Sequence, residues 1–274
     1  MRLLLVPLAF ILLVVGLTYA LFLLENLRSG HLARMRRQPG GALRPLLRGV
    51  SAALAEQILL VGSYPLGWLP PRERRAGGPV VLLVHGLYHN RAAWILFRRR
   101  LARAGYANAR FFSYSSFTRD FDGLRRELSE RILDLAAEGD APVALIGHSL
   151  GGLLLRAAVC DERLRGRAAC LLTLGSPHRG SSLAHLALGG LGRSLRPGTP
   201  LMRGLAVLRE PADLPRLALV SPVDNMVLPA ENLLPPPGWE VREVAPMSHV
   251  AMLYHPEPAE LAVDFLKRSL PTVR

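Results

Sequence analysis

Three residues in this chain have the types and the order needed for acyl transfer. Gly147-His148-Ser149-Leu150-Gly151-Gly152 lies between an apolar run rich in β-formers, Val143–Ile146, and an apolar stretch at helical spacing, Leu150–Val159. That pattern reads as strand, turn, helix, with a serine at the apex where its hydroxyl is presented as a nucleophile. A side chain at Gly147 or Gly151 would collide with the crossing helix and strand, which gives the glycines a steric reason to be there. A serine hydroxyl is a weak nucleophile and needs a base, itself oriented by an acid. Asp224 lies just past the apolar run Leu217–Val220, and His249 lies between a run at Val241–Val244 and a helical pattern at Pro258–Leu270. Catalytic groups gather at the carboxyl ends of strands in open α/β sheets, so both positions suit the role. Asp213, ahead of its strand, and Glu231 are reserve acids; His255 is the reserve base. The bland alternative is a turn-forming aspartate and a polar loop histidine.

Acyl transfer also needs donors aimed at a developing oxyanion. Val84-His85-Gly86-Leu87 closes the first core strand, and Gly86 lets the backbone come close. The N–H groups of Leu87 and Leu150 are the natural donor pair. His85 reads as a hydrogen-bonding anchor of this loop at the edge of a binding site. His148 reads as packing beside the nucleophile.

The elements that must hold these groups alternate from residue 80 onward. Strands are expected at Val80–Val84, Ala109–Tyr114, Val143–Ile146, Ala169–Leu174, Leu217–Val220 and Val241–Val244. Helices are expected at Arg91–Ala104, Phe121–Ala137, Leu150–Val159 and Pro258–Leu270. Runs apolar on both faces and alternating with helices predict an α/β fold, a mostly parallel sheet flanked by helices. No strand pattern occurs between Pro177 and Pro215, so residues 178–214 are expected as a short cap insertion over the site.

The amino-terminal portion is of another kind. Leu3 to Leu24 carries no charge over 22 residues, enough for a helix of roughly 30 Å, the thickness of a bilayer core. Residues 1–27 are therefore expected as an uncleaved transmembrane signal anchor; a cleavable signal peptide is the rival. Residues 28–79 read as a basic linker followed by an amphipathic helix at Leu43–Val61, with Tyr64–Pro79 leading into the catalytic domain, 80–274. The net charge is +13, and Lys267 is the only lysine. The arginines do not accompany any reading motif or aromatic platform, which argues against nucleic-acid binding. Arg28, Arg34, Arg36 and Arg37 follow the anchor, against Arg2 ahead of it. This count favours a single-pass membrane protein, of the bacterial inner membrane, with its catalytic domain in the cytoplasm. Cys160 and Cys170 read as separate thiols. No histidine or cysteine pair has metal-ligand spacing, and neither a phosphate loop nor a dinucleotide fingerprint is present, so no cofactor is expected.

Taken together, the His-Gly-Leu loop, Gly-His-Ser-Leu-Gly-Gly, Leu174-Gly-Ser-Pro-His-Arg-Gly-Ser181, the Asp224 turn and the His249 loop resemble the lipase and esterase branch of the α/β-hydrolase family. The resemblance covers about Val80 to Leu270. It implies a Ser149, Asp224, His249 triad cleaving carboxylic esters of lipid-like acyl groups. It also implies that Gly175–Ser182, including Pro177 and His178, lines the substrate site. The histidine is preceded by Ser248 where the family usually has glycine. Thioester hydrolysis or acyl transfer by the same triad, or an idle membrane scaffold, are the competing functions.

Overall fold

Strands that are apolar on both faces are stable only in a sheet covered on both sides. The computed structural model describes residues 2–38, 40–69, 77–139 and 141–270. Its strands are β1 (Val81–Val84), β2 (Ala109–Phe112), β3 (Val143–His148), β4 (Ala168–Leu174), β5 (Arg216–Val220) and β6 (Glu240–Glu243). They form one sheet in the order β2-β1-β3-β4-β5-β6, parallel at every pairing. The two-residue period divides the strand side chains between two cores. Leu82, Val84, Leu145 and Leu171 pack against α5 (Phe121–Gly139) and α6 (Leu150–Ala158). Val81, Leu83, Ile146 and Leu172 pack against α4 (Ile95–Arg103) and α9 (Pro256–Ser269). Leu145 is fully buried, so truncating it to alanine would cost about 2–5 kcal/mol.

Strand β1 has β2 on one side and β3 on the other, in register Leu83 to Phe111 and Leu83 to Ile146. Chain direction across the sheet reverses there, and the crevice outside the carboxyl ends of these strands is where open α/β sheets bind ligands. Gly86 and Ser149 both sit at that crevice. Residues 178–214 contain no strand; they fold into a 3-10 turn at Ser182–Leu186 and the short helices α7 (Gly189–Arg193) and α8 (Pro200–Val207).

The amino-terminal segments are helical: α1 (Arg2–Arg28), α2 (His31–Arg37) and α3 (Leu43–Ser63). Leu8–Arg28 and Leu43–Gly67 are both long and apolar enough to cross a membrane, and the first is a candidate transmembrane span. The linker expected after the anchor folds as α2 because Leu32 and Met35, one turn apart, join a common cluster. That cluster also holds Ile11, Val15, Tyr19 and Phe22 of α1, and Val223 and Leu228 of the loop after β5. The α1 residues recur every three or four positions and so form one stripe. Gly49 of α3 permits this packing, since a Cβ there would lie 2.4 Å from the Tyr19 hydroxyl and 2.8 Å from Val223. Of the lead-in Tyr64–Pro79, residues 64–67 form a 3-10 turn, and 70–76 lie outside the described residues.

Candidate active site

Ser149 follows the last residue of β3 and precedes α6 with φ 54° and ψ −124°. Among the described residues only it and Tyr88 have positive φ without being glycine, and such strain concentrates at functional sites. The neighbouring glycines explain how the turn closes. A Cβ on Gly147 would lie 2.5 Å from the Gly152 nitrogen, and one on Gly151 would lie 2.3 Å from the Val84 carbonyl. Helix α6 therefore starts in direct backbone contact with β3 and β1. Leu150 provides the first N–H of that helix, a donor with no acceptor inside the helix.

Asp224 is fully buried. Its Oδ1 accepts from the N–H groups of Met226 (2.9 Å) and Val227 (3.0 Å), which fixes the carboxylate. Its Oδ2 lies 2.7 Å from His249 Nδ1. That contact places the imidazole proton on Nδ1 and leaves Nε2 as the acceptor. The backbone N–H of His249 donates to Asn225 Oδ1 at 3.2 Å, and Asn225 Nδ2 donates to Thr18 Oγ1 at 2.8 Å. Helix α1 thus reaches the histidine loop through one intermediate side chain.

Ser149 and His249 line one cleft of about 410 Å³ with Gly86, Leu87, His148 and Pro177. No aspartate, glutamate, lysine or arginine is among the residues lining it. Leu183, Leu186 and Leu188 of the cap form part of its wall, whereas Leu191 turns into the core. Tyr88 ties the two sides together: its N–H donates to Ser116 Oγ at 2.8 Å and its hydroxyl to the Leu188 carbonyl at 2.5 Å. A larger hollow of about 880 Å³ lies between the start of α5 and the cap, but neither Ser149 nor His249 reaches it.

Two of the expected substrate contacts are placed elsewhere. His85 and His178 are buried and absent from the cleft wall. His85 donates from Nδ1 to the Gly86 carbonyl and stacks on Tyr114 with ring centroids 4.3 Å apart, so it braces the loop from behind. His178 packs edge-on against Trp239 and sits 3.4 Å from the Thr173 hydroxyl. Desolvation holds both neutral, His85 at about 4 and His178 at about 3. His148 lines the cleft, donating from Nε2 to the His249 carbonyl at 3.2 Å. Burial, then the adjacent His249, keeps its pKa well below the ordinary value.

The reserve candidates have other occupations. Ser176 donates its hydroxyl to the Ser149 carbonyl at 2.8 Å, and Ser181 donates to the Met226 carbonyl at 2.7 Å. Glu231 pairs with Arg34. His255 is exposed and caps α9. Asp213 precedes β5, at the opposite end of the strand from Asp224.

Two residues of the site were not legible in the sequence. His89 lies parallel to His148, with centroids 5.7 Å apart, and is held down to about 3 by burial. Glu56 of α3 is buried and accepts the Ser248 hydroxyl. The one hint was Ser248 in place of a glycine.

A fully parallel, doubly covered sheet with a strained serine at its switch point and a buried aspartate–histidine pair defines the class of α/β hydrolases. The sequence agrees: the family model described as the alpha/beta hydrolase family matches residues 81–270, and the chain belongs to that family. Among solved structures, lipase B of Aspergillus fumigatus superposes with a TM-score of 0.60 at 20% identity, covering 74% of this chain and 55% of that one. The mature form of Bacillus licheniformis lipase BlEst2 gives 0.57 at 17% identity, covering 73% of this chain and 94% of that one. The metagenomic carboxyl esterase MGS0156 gives 0.56 at 18%, with 72% and 78% covered. At these identities the likeness is one of fold. A search of curated protein sequences finds no match.

Proposed function

We propose that the protein is a membrane-anchored hydrolase of carboxylic esters with lipid-like acyl groups, working through an acyl-enzyme on Ser149. His249 Nε2 takes the proton from Ser149 Oγ as the oxygen attacks the ester carbonyl carbon. The N–H groups of Leu87 and Leu150 receive the developing oxyanion. The same Nε2 then gives its proton to the departing alcohol. Water, deprotonated by Nε2, attacks the acyl carbonyl and releases the acid, and Ser149 regains its proton. Asp224 stays ionised and holds the imidazole in one tautomer. Gly86, His148 and Pro177 form the polar end of the substrate site.

The observation that carries this reading is the 2.7 Å Asp224–His249 contact in the same cleft as a serine of positive φ. The uncharged lining favours an acyl ester over a phosphate-bearing thioester. Helix α1 serves as the anchor: Leu12, Leu13, Leu23 and Leu24 remain exposed on it. By the count of flanking arginines the catalytic domain faces the cytoplasm.

A fluorophosphonate probe and a panel of p-nitrophenyl esters, glycerolipids and acyl-CoA test it. Labelling of Ser149 with ester turnover is the expected result. Absence of labelling would overturn the reading, and acyl-CoA turned over about a hundredfold faster than any ester would replace it with thioester hydrolysis.

A further inference from the structure

The helix expected as a plain anchor carries two stripes with different tasks. Ile11, Val15, Tyr19 and Phe22 pack on the catalytic domain. Phe10, Val14 and Leu17 are displaced from that stripe by one or two positions, a rotation of about 100–200° on a helix of 3.6 residues per turn. These three line the cleft that contains Ser149 and His249. Phe10 is 61% exposed and Leu17 46%, so apolar side chains that nothing in the chain covers face the same space as the candidate nucleophile. Across the cleft stand Leu183, Leu186 and Leu188, the last two also exposed.

We infer that Phe10, Val14 and Leu17 of helix α1, facing the three cap leucines, form the acyl-binding wall of the cleft. The anchor is thereby part of the substrate site. This rests on the ester-hydrolase reading above. The occupant is the hydrocarbon chain of the substrate's acyl group, for two reasons. The groove is continuous with Ser149, so whatever fills it is attached to the carbonyl under attack. Its lining has no charge to receive a head group, although the chain as a whole carries +13. An acyl chain extending from Ser149 toward Phe10 passes along the helix that is itself the candidate span, a direct route from the lipid phase. Each methylene the wall covers adds roughly fourfold in binding, the ~0.8 kcal/mol of a buried CH₂.

The test uses the full chain purified in detergent, with p-nitrophenyl butyrate and decanoate below their aggregation limits so that membrane partitioning does not enter. The quantity read is the ratio of kcat/KM for decanoate over butyrate. Phe10→Ala combined with Leu17→Ala should lower that ratio about tenfold. Leu17→Trp, which fills the groove and keeps the helix apolar, should lower it as well. Leu12→Ala with Leu13→Ala, on the exposed side of α1, should leave it unchanged. An unchanged ratio in the first two variants, or an equal fall in the third, overturns the inference. Wild-type protein that neither turns over esters nor labels at Ser149 would instead overturn the hydrolase reading on which it rests.

Discussion

Ser248, the residue before His249, donates its hydroxyl to the carboxyl group of Glu56, 192 residues earlier on helix α3. The Glu56 carboxyl also accepts from the Ala251 backbone, so it grips the histidine loop on both sides of His249. Burial, and to a lesser degree the nearby Asp224, raises its pKa to about 8, so that Glu56 is a neutral acid at pH 7. Helix α3 lies outside the segment that matches the hydrolase family. The catalytic loop is therefore braced from a part of the chain that the family pattern does not describe.

Glu56→Gln retains an acceptor and a neutral group, and should lower kcat only a fewfold. Glu56→Ala, which strands the Ser248 hydroxyl, should lower kcat about 10–100-fold with little change in KM, as for other groups that orient a catalytic histidine. Steady-state kinetics on both variants decide it. Equal losses in the two, or a loss confined to KM, would mean that Glu56 does not position the histidine.

Ser149→Ala should remove fluorophosphonate labelling and lower turnover by ~10⁴-fold or more, with the melting temperature retained. His249→Ala should be comparably damaging. Asp224→Asn should cost somewhat less, because the aspartate orients the ring and transfers no proton. His255→Ala is the control. The assignment of the base fails if His255→Ala is inactive while His249→Ala still turns over.

Gly151→Ala tests the elbow as a packing device. Its Cβ would meet the Val84 and His85 carbonyls at 2.3 and 2.6 Å, and backbone cannot yield cheaply inside a close-packed core. The expected outcome is a loss of stability of about 1–3 kcal/mol by urea denaturation. Gly190→Ala, with nothing within 4 Å of the new Cβ, should be close to neutral. Equal stability of the two variants would contradict the observed crossing of β1 and α6.

Acid should unfold this protein earlier than its carboxylates alone would dictate. Burial keeps His85 at about 4, His89 and His178 at about 3, and His148 well below its ordinary value. Their unfolded values lie near 6.5. Below that pH the unfolded chain binds the additional protons, so stability falls as pH falls. Glu56 acts in the opposite sense between 4.5 and about 8, where the folded state keeps its proton, and offsets one of the four. The net slope below pH 6.5 is up to ~4 kcal/mol per pH unit. Denaturation midpoints at pH 7, 6 and 5 measure it, and a flat profile would show that these histidines are not held neutral.

The sequence by itself determined the parallel sheet and the approximate position of each strand. A strand apolar on both faces has few other places to go, and alternation with amphipathic helices leaves little choice of layering. It also singled out Ser149, because glycines at two fixed offsets around a serine, between a strand and a helix, answer a local steric demand. Asp224 and His249 were legible by their places at strand ends, but their meeting at 2.7 Å is tertiary. The structure reassigned His85 and His178, whose polarity suggested contact with substrate. Their hydrogen-bond partners lie behind the cleft, and nothing in their local spacing could show that. The task of the amino-terminal helices was also left to the tertiary structure. An apolar helix of this length reads as an anchor on composition alone. Only packing reveals that one stripe of α1 holds the loop of Asp224, a second lines the cleft, and Glu56 of α3 reaches Ser248. Contacts across about 200 residues depend on which surfaces the folded sheet leaves uncovered, and no local pattern encodes them.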